Sequence, residues 1–294
     1  MKSLTLGSKT VKYVEVGSGE PMLFLHNGGS GHWIWHYQIQ HFAKKYRVFA
    51  FDMLGCGASD RPNVTYDLNI YTQMTDDIIE QLNLQNLILV GNCVGAAAAL
   101  EYASRNSSRL QALILFNLCG GRRMMSPLVR LASFPLPDFL EPVHWATLKV
   151  FEHIPFVIKS AVRTNYATVP DSTDPVFIEE SKEASNSAQT QSRLNLTKGL
   201  SSFDKYSHDF VRPSNLPPTV VFWGQQNRVL PLANGLRFCE RLQPTRTHIV
   251  KNAGHLPMAE KPDYVNTQIE NFMRSISGRI RSESSPEISE AMRS

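Results

Sequence analysis

The stretch Gly91-Asn92-Cys93-Val94-Gly95 sets a thiol midway between two glycines, after the apolar run "NLILVGN" and before the small-residue run "VGAAAALEYASRN". The first run reads as a buried strand and the second as a helix. A nucleophile lodged between strand and helix needs small residues two positions to either side, because larger ones would collide with the neighbouring strand and helix. Such a turn lifts the reactive atom above the carboxyl edge of a sheet. The N–H of Val94, at the helix N-terminus, then points where an oxyanion would form. A Cys93 thiolate attacking an acyl carbonyl would give a thioester intermediate. The plain alternative is a buried structural thiol, which an isolated strand–helix turn favours.

The segments around this turn must form a sheet able to hold it. "TVKYVEVG" alternates with period two, as a strand does, and "PMLFLHN" and "YRVFAFDM" are short buried-strand runs. "WIWHYQIQHFAKKY", "MTDDIIEQLNL" and the small-residue run have helical spacing, and "LQALILFNL" closes the series as a strand. Strands alternating with helices predict an α/β fold with a mostly parallel sheet flanked by helices. The rhythm stops after Gly121. Residues 122–215 carry helical patterns and many prolines with no strand pair, and read as an inserted helical cap. Within it, "EESKEASNSAQTQSRLNL" reads as an exposed polar helix. The alternation resumes with "PTVVFWG", a helix through "NGLRFCERL", the strand "THIVKNAGH" and the helix "PDYVNTQIENFMRSI". The expected organisation is a core over residues 1–121 and 216–277, a cap over 122–215, and a disordered polar tail over 278–294.

Composition narrows the class. The chain has 294 residues, 42% hydrophobic and 19% charged, which supports a large core. Its net charge of +4 is spread thinly, so nucleic acid is not an expected partner. No run approaches the roughly 18 apolar residues of a membrane span. The polar start has no apolar core of the signal-peptide kind. The four cysteines, Cys56, Cys93, Cys119 and Cys239, have neither zinc nor C-x-x-C spacing, so a cytoplasmic location with reduced thiols is expected and neither a metal nor an organic cofactor is implied.

Taken in order along the chain, "HNGG" (from His26), "DMLGCGASD" (from Asp52), "GNCVG", "GQQNRVLP" and "NAGHLPMAEKP" resemble the motif set of the α/β-hydrolase superfamily, in its cap-bearing branch. The resemblance spans about Thr10 to Ser277. It implies Cys93 as nucleophile, His255 as general base, and the N–H groups of Gly28 and Val94 as an oxyanion hole. The acid position falls on Asn227, where the family has Asp. Some members place the acid after the sixth strand, but that region here is "LFNLCGG", with Asn117 and no carboxylate. The implied triad is Cys93–His255–Asn227. The two departures fit each other: a thiol has a pKa near 8.5, falling further beside His⁺ or a helix N-terminus, and needs no anionic third member. On this reading the Asn227 oxygen accepts Nδ1–H and holds the ring, as in the Cys-His-Asn proteases of another fold. His26 is expected to support the oxyanion loop, and Glu260 to serve as a local hydrogen-bond partner. Asn27, Asn92 and Trp35 are the candidates for touching substrate. Cys56, Cys119 and Cys239 are expected to be inert.

A thioester intermediate reacts well with amines and thiols and more slowly with water. The expected activity is therefore acyl transfer from an acyl thioester, on coenzyme A or a carrier protein, to a nucleophilic acceptor. Alternatives are ester, thioester or lactone hydrolysis by the same residues, a lyase or cyclase using His255 as base, and a ligand-binding pseudoenzyme. The cap's Phe, Leu, Met and Pro suit either ordinary packing or an apolar acyl pocket between cap and core.

Overall fold

The computed structural model describes residues 1–151, 154–207 and 210–283. Eight strands form one sheet: β1 (Lys2–Leu6), β2 (Lys9–Val16), β3 (Pro21–Leu25), β4 (Arg47–Asp52), β5 (Leu87–Asn92), β6 (Leu110–Phe116), β7 (Thr219–Gly224) and β8 (Arg246–Val250). Their spatial order is β1-β2-β4-β3-β5-β6-β7-β8. β2 runs antiparallel to β1 and β4, and the remaining pairs are parallel. This is the expected mostly parallel sheet.

The central strands are apolar throughout because both faces are covered. Leu87 and Leu89 of β5 face one core, and Ile88 and Val90 the other. The first core packs α2 (Leu68–Gln81), α3 (Val94–Arg105) and α9 (Leu232–Leu242) onto the sheet. The second packs α1 (His36–Phe42), the short α10 (Pro257–Glu260) and α11 (Pro262–Glu283). Four consecutive buried alanines, Ala96 to Ala99, bring α3 close to the sheet. The predicted helix from Trp33 begins as a 3-10 turn over His32–Trp35 before α1.

The chain order reverses between β3 and β5, which are neighbours at the middle of the sheet. At such a switch point the loops leaving two adjacent strands diverge and open a crevice at their carboxyl ends. The loop after β3 holds Asn27 and Gly28, and the turn after β5 holds Cys93.

Between β6 and β7 the described residues form only helices: α4 (Pro127–Ala132), α5 (Glu141–Phe151), α6 (Pro155–Thr164), α7 (Pro175–Ala184) and α8 (Thr190–Gly199), with short 3-10 turns. The segment expected as one exposed polar helix is instead the end of α7, a turn and α8. Glu180, Glu183, Gln189, Ser192 and Asn195 are buried there. Polar side chains cover this inner face because they hydrogen-bond one another and the core loops. α11 runs to Glu283, so residues 278–283, expected as disordered tail, continue the last helix; residues 284–294 lie outside the described residues.

Candidate active site

Cys93 occupies a left-handed, strained conformation (φ +55°, ψ −113°) that a non-glycine residue adopts only when its surroundings enforce it. Its N–H donates to the Phe116 carbonyl at 3.0 Å, and its own carbonyl accepts from Ala97 and Cys119, each at 3.1 Å. The flanking glycines make room for this. A Cβ on Gly91 would lie 2.4 Å from the Gly95 carbonyl oxygen, and one on Gly95 would lie 2.5 Å from that of His26. The N–H groups of Val94 and Gly28 converge on the Cys93 sulfur and favour its anion. His26 holds the second of these loops in place: one ring nitrogen bonds the Asn27 carbonyl at 2.6 Å and the other accepts the Met53 N–H at 2.9 Å.

Cys119, expected to be inert, contacts Cys93. Its thiol shares a hydrogen bond with that of Cys93, and both side chains line the same cavity. The Cys119 contact, burial and like-charge repulsion push the Cys93 thiol well above the usual range, against the pull of the two N–H groups. The resting thiol is therefore protonated at neutral pH.

His255 sits on the loop after β8, buried, and lines that cavity too. Burial pushes its pKa down to about 4. Its N–H donates to the Asn165 carbonyl at 2.7 Å, and its carbonyl accepts from Asn117 Nδ2 at 3.0 Å and Asn92 Nδ2 at 3.5 Å. Among the described residues no hydrogen bond joins Cys93 to His255.

Asn227 reaches His255, but in the opposite sense to that expected. Its Oδ1 accepts the N–H groups of Val229 (3.0 Å) and Leu230 (2.9 Å). Its Nδ2 donates to Asn117 Oδ1 at 3.0 Å and faces His255 Nδ1 at 3.1 Å. Asn117 is itself fixed, since its Oδ1 also accepts the Gly224 N–H (3.1 Å) while its Nδ2 serves the His255 carbonyl. Backbone donors thus orient both amides. The neutral His255 ring must accept at Nδ1 and carry its proton on Nε2. An Asn227 oxygen holding Nδ1–H is not the arrangement in the structure.

The cavity measures about 430 Å³. Its floor is Cys93, Cys119, Gly28 and His255, and its walls are mostly cap residues such as Val129, Leu148, Val157, Ile158 and Leu196. Of the expected substrate contacts, Asn27 lines it and its buried Oδ1 has no hydrogen-bond partner. Asn92 and Trp35 are not among its lining. Asn92 turns beneath the sheet edge to the His255 carbonyl, and Trp35 is fully buried between Phe24 and Phe116. Each faces the core because the strand or turn carrying it gives its outward positions to neighbouring residues.

Sequence reasoning missed Glu180 and Asn165. Glu180 lines the cavity and accepts from Ser30 Oγ, Trp33 Nε1 (2.9 Å) and Asn165 Nδ2 (3.3 Å). Burial raises its pKa, while the Ser30 and Trp33 donors hold it down. The signal lay in the spacing: Val176, Glu180 and Glu183 share one helical face, so carboxylates occupy positions of the buried stripe. Glu260 is the local partner expected: it accepts from Gly254 N (2.5 Å) and Ala167 N (2.7 Å), tying the histidine loop to the cap.

A family model described as the alpha/beta hydrolase fold matches residues 20–262. The chain belongs to that family. Among curated proteins, this hydrolase-fold chain is 26% identical over 280 residues to 2-hydroxy-6-oxo-6-(2'-aminophenyl)hexa-2,4-dienoic acid hydrolase of Metapseudomonas resinovorans, covering 91% of this chain and 89% of that protein. It is 28% identical over 260 residues to 2-hydroxy-6-oxo-2,4-heptadienoate hydrolase of Pseudomonas putida F1, covering 84% and 86%. Among solved structures, an alpha/beta hydrolase fold protein from Burkholderia ambifaria superposes with a TM-score of 0.74 at 19% identity, covering 91% of this chain and 96% of that one. The meta-cleavage product hydrolase of Pseudomonas fluorescens IP01 superposes with a TM-score of 0.71 at 21% identity, covering 94% and 98%.

Proposed function

We propose that this alpha/beta hydrolase-fold chain is an acyl-transfer enzyme that takes an acyl group from a thioester, carried on coenzyme A or a carrier protein, onto Cys93 and passes it to a nucleophilic acceptor. The observation that carries the reading is the thiol at the strained turn paired with a histidine whose Nδ1 faces an amide donor. With its proton on Nε2, His255 is a hydrogen-bond donor to the cavity and a poor base towards it.

The chemistry that remains open is the chemistry of matched thiols. In the first step, R–CO–S–R′ and Cys93–SH give Cys93–S–CO–R and R′–SH. The proton lost by Cys93, as its sulfur swings away from Cys119, is gained by the departing thiol, and a thiol freed of that contact needs no strong base. The Val94 and Gly28 N–H groups receive the carbonyl oxygen as the sulfur swings out to attack. In the second step an amine or thiol acceptor takes the acyl group and returns the proton to Cys93. Water, with a pKa near 15.7, needs a general base to compete. In a Ser–His–Asp enzyme, placing the histidine in the wrong tautomer costs roughly 10⁴ in rate. The same tautomer here favours transfer over hydrolysis. Asn27 Oδ1 offers an acceptor for an N–H of the incoming nucleophile.

The second reading, hydrolysis, is favoured by the curated relatives, which are hydrolases along most of this chain's length. One solved neighbour is a serine hydrolase involved in carbazole degradation, whereas the turn here carries Cys93. Intact-mass measurement after incubation with acyl thioesters tests the proposal. An acyl adduct on Cys93, lost in Cys93→Ala and discharged faster by an added amine than by water, is the expected result. Discharge by water alone supports the hydrolase reading. No adduct, with equal turnover by Cys93→Ala, would remove covalent catalysis, and tight binding with no turnover by either protein would leave a ligand-binding role.

A further inference from the structure

The cap presents apolar side chains outward as well as inward. Among the described residues, eleven of the eighteen large hydrophobic side chains that are strongly exposed lie between Leu128 and Phe156. No residue of α4 or α5 is buried, and α6 buries only Val162. Leu131, Phe134, Phe139, Trp145 and Phe156 are 41–79% exposed. Scattered exposed apolar residues need no explanation, but this density on three consecutive helices and the links between them, where Phe134 and Phe139 stand, marks a surface that works against something other than water.

Three observations identify the occupant. The surface is fringed with cations: residues 122–163 contain six Lys and Arg against three Asp and Glu, and Arg123, Arg130, Lys159 and Arg163 are exposed. The helices are short, and prolines at 127, 135, 137, 142 and 155 divide the chain around them. Among the described residues no helix is long and apolar enough to cross a membrane. Short helices with aromatic and aliphatic faces and a basic fringe suit the plane of a lipid headgroup layer. Finally, the same helices wall the catalytic cavity: Val129 of α4, Leu148 of α5 and Val157 of α6 line it from inside. A single layer of helix separates the outer apolar surface from the pocket above Cys93.

We infer that α4, α5 and α6 dock the protein on an anionic lipid bilayer, with the cap as the face through which an acyl chain reaches the cavity. Docking rests on this surface and not on the Cys93 chemistry, so the two are separable by experiment. The probe is the full chain with vesicles of phosphatidylcholine, with and without phosphatidylglycerol. Of the four tryptophans, Trp35 and Trp223 are fully buried, Trp33 is half-buried and Trp145 is exposed, so Trp145 reports on docking. The protein is expected to co-sediment with the mixed vesicles, with a blue shift of tryptophan emission and weaker binding at high salt. Trp145→Phe should keep binding and lose the shift. Phe134→Ser with Phe139→Ser should weaken binding about tenfold or more, since two large apolar side chains no longer enter the layer. Both side chains are exposed, so an unchanged urea midpoint certifies the fold of that variant. Cys93→Ala should bind as the wild type does, whatever becomes of the acyl adduct. Failure to bind either vesicle at low salt overturns the proposal, as does wild-type binding by the double Phe variant. So does a dimer in solution that shields Trp145, or binding to an acyl carrier protein without binding to vesicles.

Discussion

Asn227 receives two backbone N–H groups on the oxygen side of its amide, from Val229 and Leu230, so its other side can only donate to His255 and Asn117. An aspartate at 227 would keep those two bonds on one oxygen and turn the other, an acceptor, towards Nδ1. The ring proton would move to Nδ1 and leave Nε2 bare above the cavity. Asn227→Asp is therefore expected to speed iodoacetamide alkylation of Cys93 at neutral pH, and to move discharge of the acyl adduct from amine towards water, by roughly tenfold or more each. Unchanged alkylation and unchanged partition would show that the tautomer does not govern the site. A second residue acts on the thiol itself. The Cys119 contact, more than burial, holds the Cys93 thiol up, so Cys119→Ala lowers its pKa and should raise the neutral-pH alkylation rate about threefold or more. Slow alkylation of the wild type at neutral pH is accordingly the expected behaviour of this site. The positions of Cys93, Gly28, Val94, Asn227 and His255 were legible in the sequence, because the turn and loop motifs that carry them are local. The direction of the Asn227 amide was not. It depends on Asn117, which follows a different strand and is 110 residues away along the chain.

The β5–turn–α3 unit was readable for a physical reason: strand, turn and helix each need distinctive residues, and all three stand in one short run. Gly95 illustrates how little freedom the unit has. A methyl group there would press on the backbone carbonyls of His26 and Leu25, at 2.5 and 2.6 Å. Neither can move without disturbing β3 and the loop that carries Gly28. Gly95→Ala should cost about 1–3 kcal/mol of stability, read as a lower urea midpoint. An unchanged midpoint would mean that the loop after β3 yields easily. The cap was far less legible. Its α7 and α8 face inward with carboxylates and amides, so their buried stripe carries the residue types of an exposed one. Glu180 and Glu183 satisfy their burial through partners on the loops after β3 and β4 and on the 3-10 turn before α8, including Ser30, Gly57 and Gln189. No pattern within the helix reveals those partners. Trp35 misled in the other direction: an aromatic beside a histidine-rich run suggests a binding surface, whereas a 3-10 turn rotates it into the core beneath the sheet.

Across the whole molecule, burial of titrating groups links stability to acidity. Burial holds His26 down to about 4, while an unfolded histidine titrates near 6.5. The folded ring stays neutral where the unfolded one takes a proton. Its contribution is complete above pH 6.5 and is lost as the pH falls through about 4, on the order of 3 kcal/mol. Glu260, raised by burial to about 7, works the other way: its contribution is present below 4.5 and lost as the pH rises through about 7. His26→Gln separates the two, because a glutamine can donate to the Asn27 carbonyl and accept from Met53 without titrating. The stability of the wild type relative to this variant should fall between neutral pH and pH 4, measured by urea unfolding at each pH. A constant difference would mean that the ring titrates equally in both states.

The cap leaves the core after β6 and returns at β7, and these two strands are hydrogen-bonded neighbours from Leu113 and Thr219 to Phe116 and Phe222. Its two ends therefore leave and rejoin the sheet side by side. Closing a loop costs only about 0.6 kcal/mol more for each doubling of its length, so the ladder between β6 and β7 tolerates an excursion of almost any size. The cap is in effect an exchangeable cassette. A replacement could alter the shape of the pocket while leaving Cys93 and His255 where they stand. It would have to supply a carbonyl where Asn165 receives the His255 N–H, an N–H where Ala167 meets Glu260, and acceptors where Glu180 and Glu183 receive Ser30, Trp33 and Gly57.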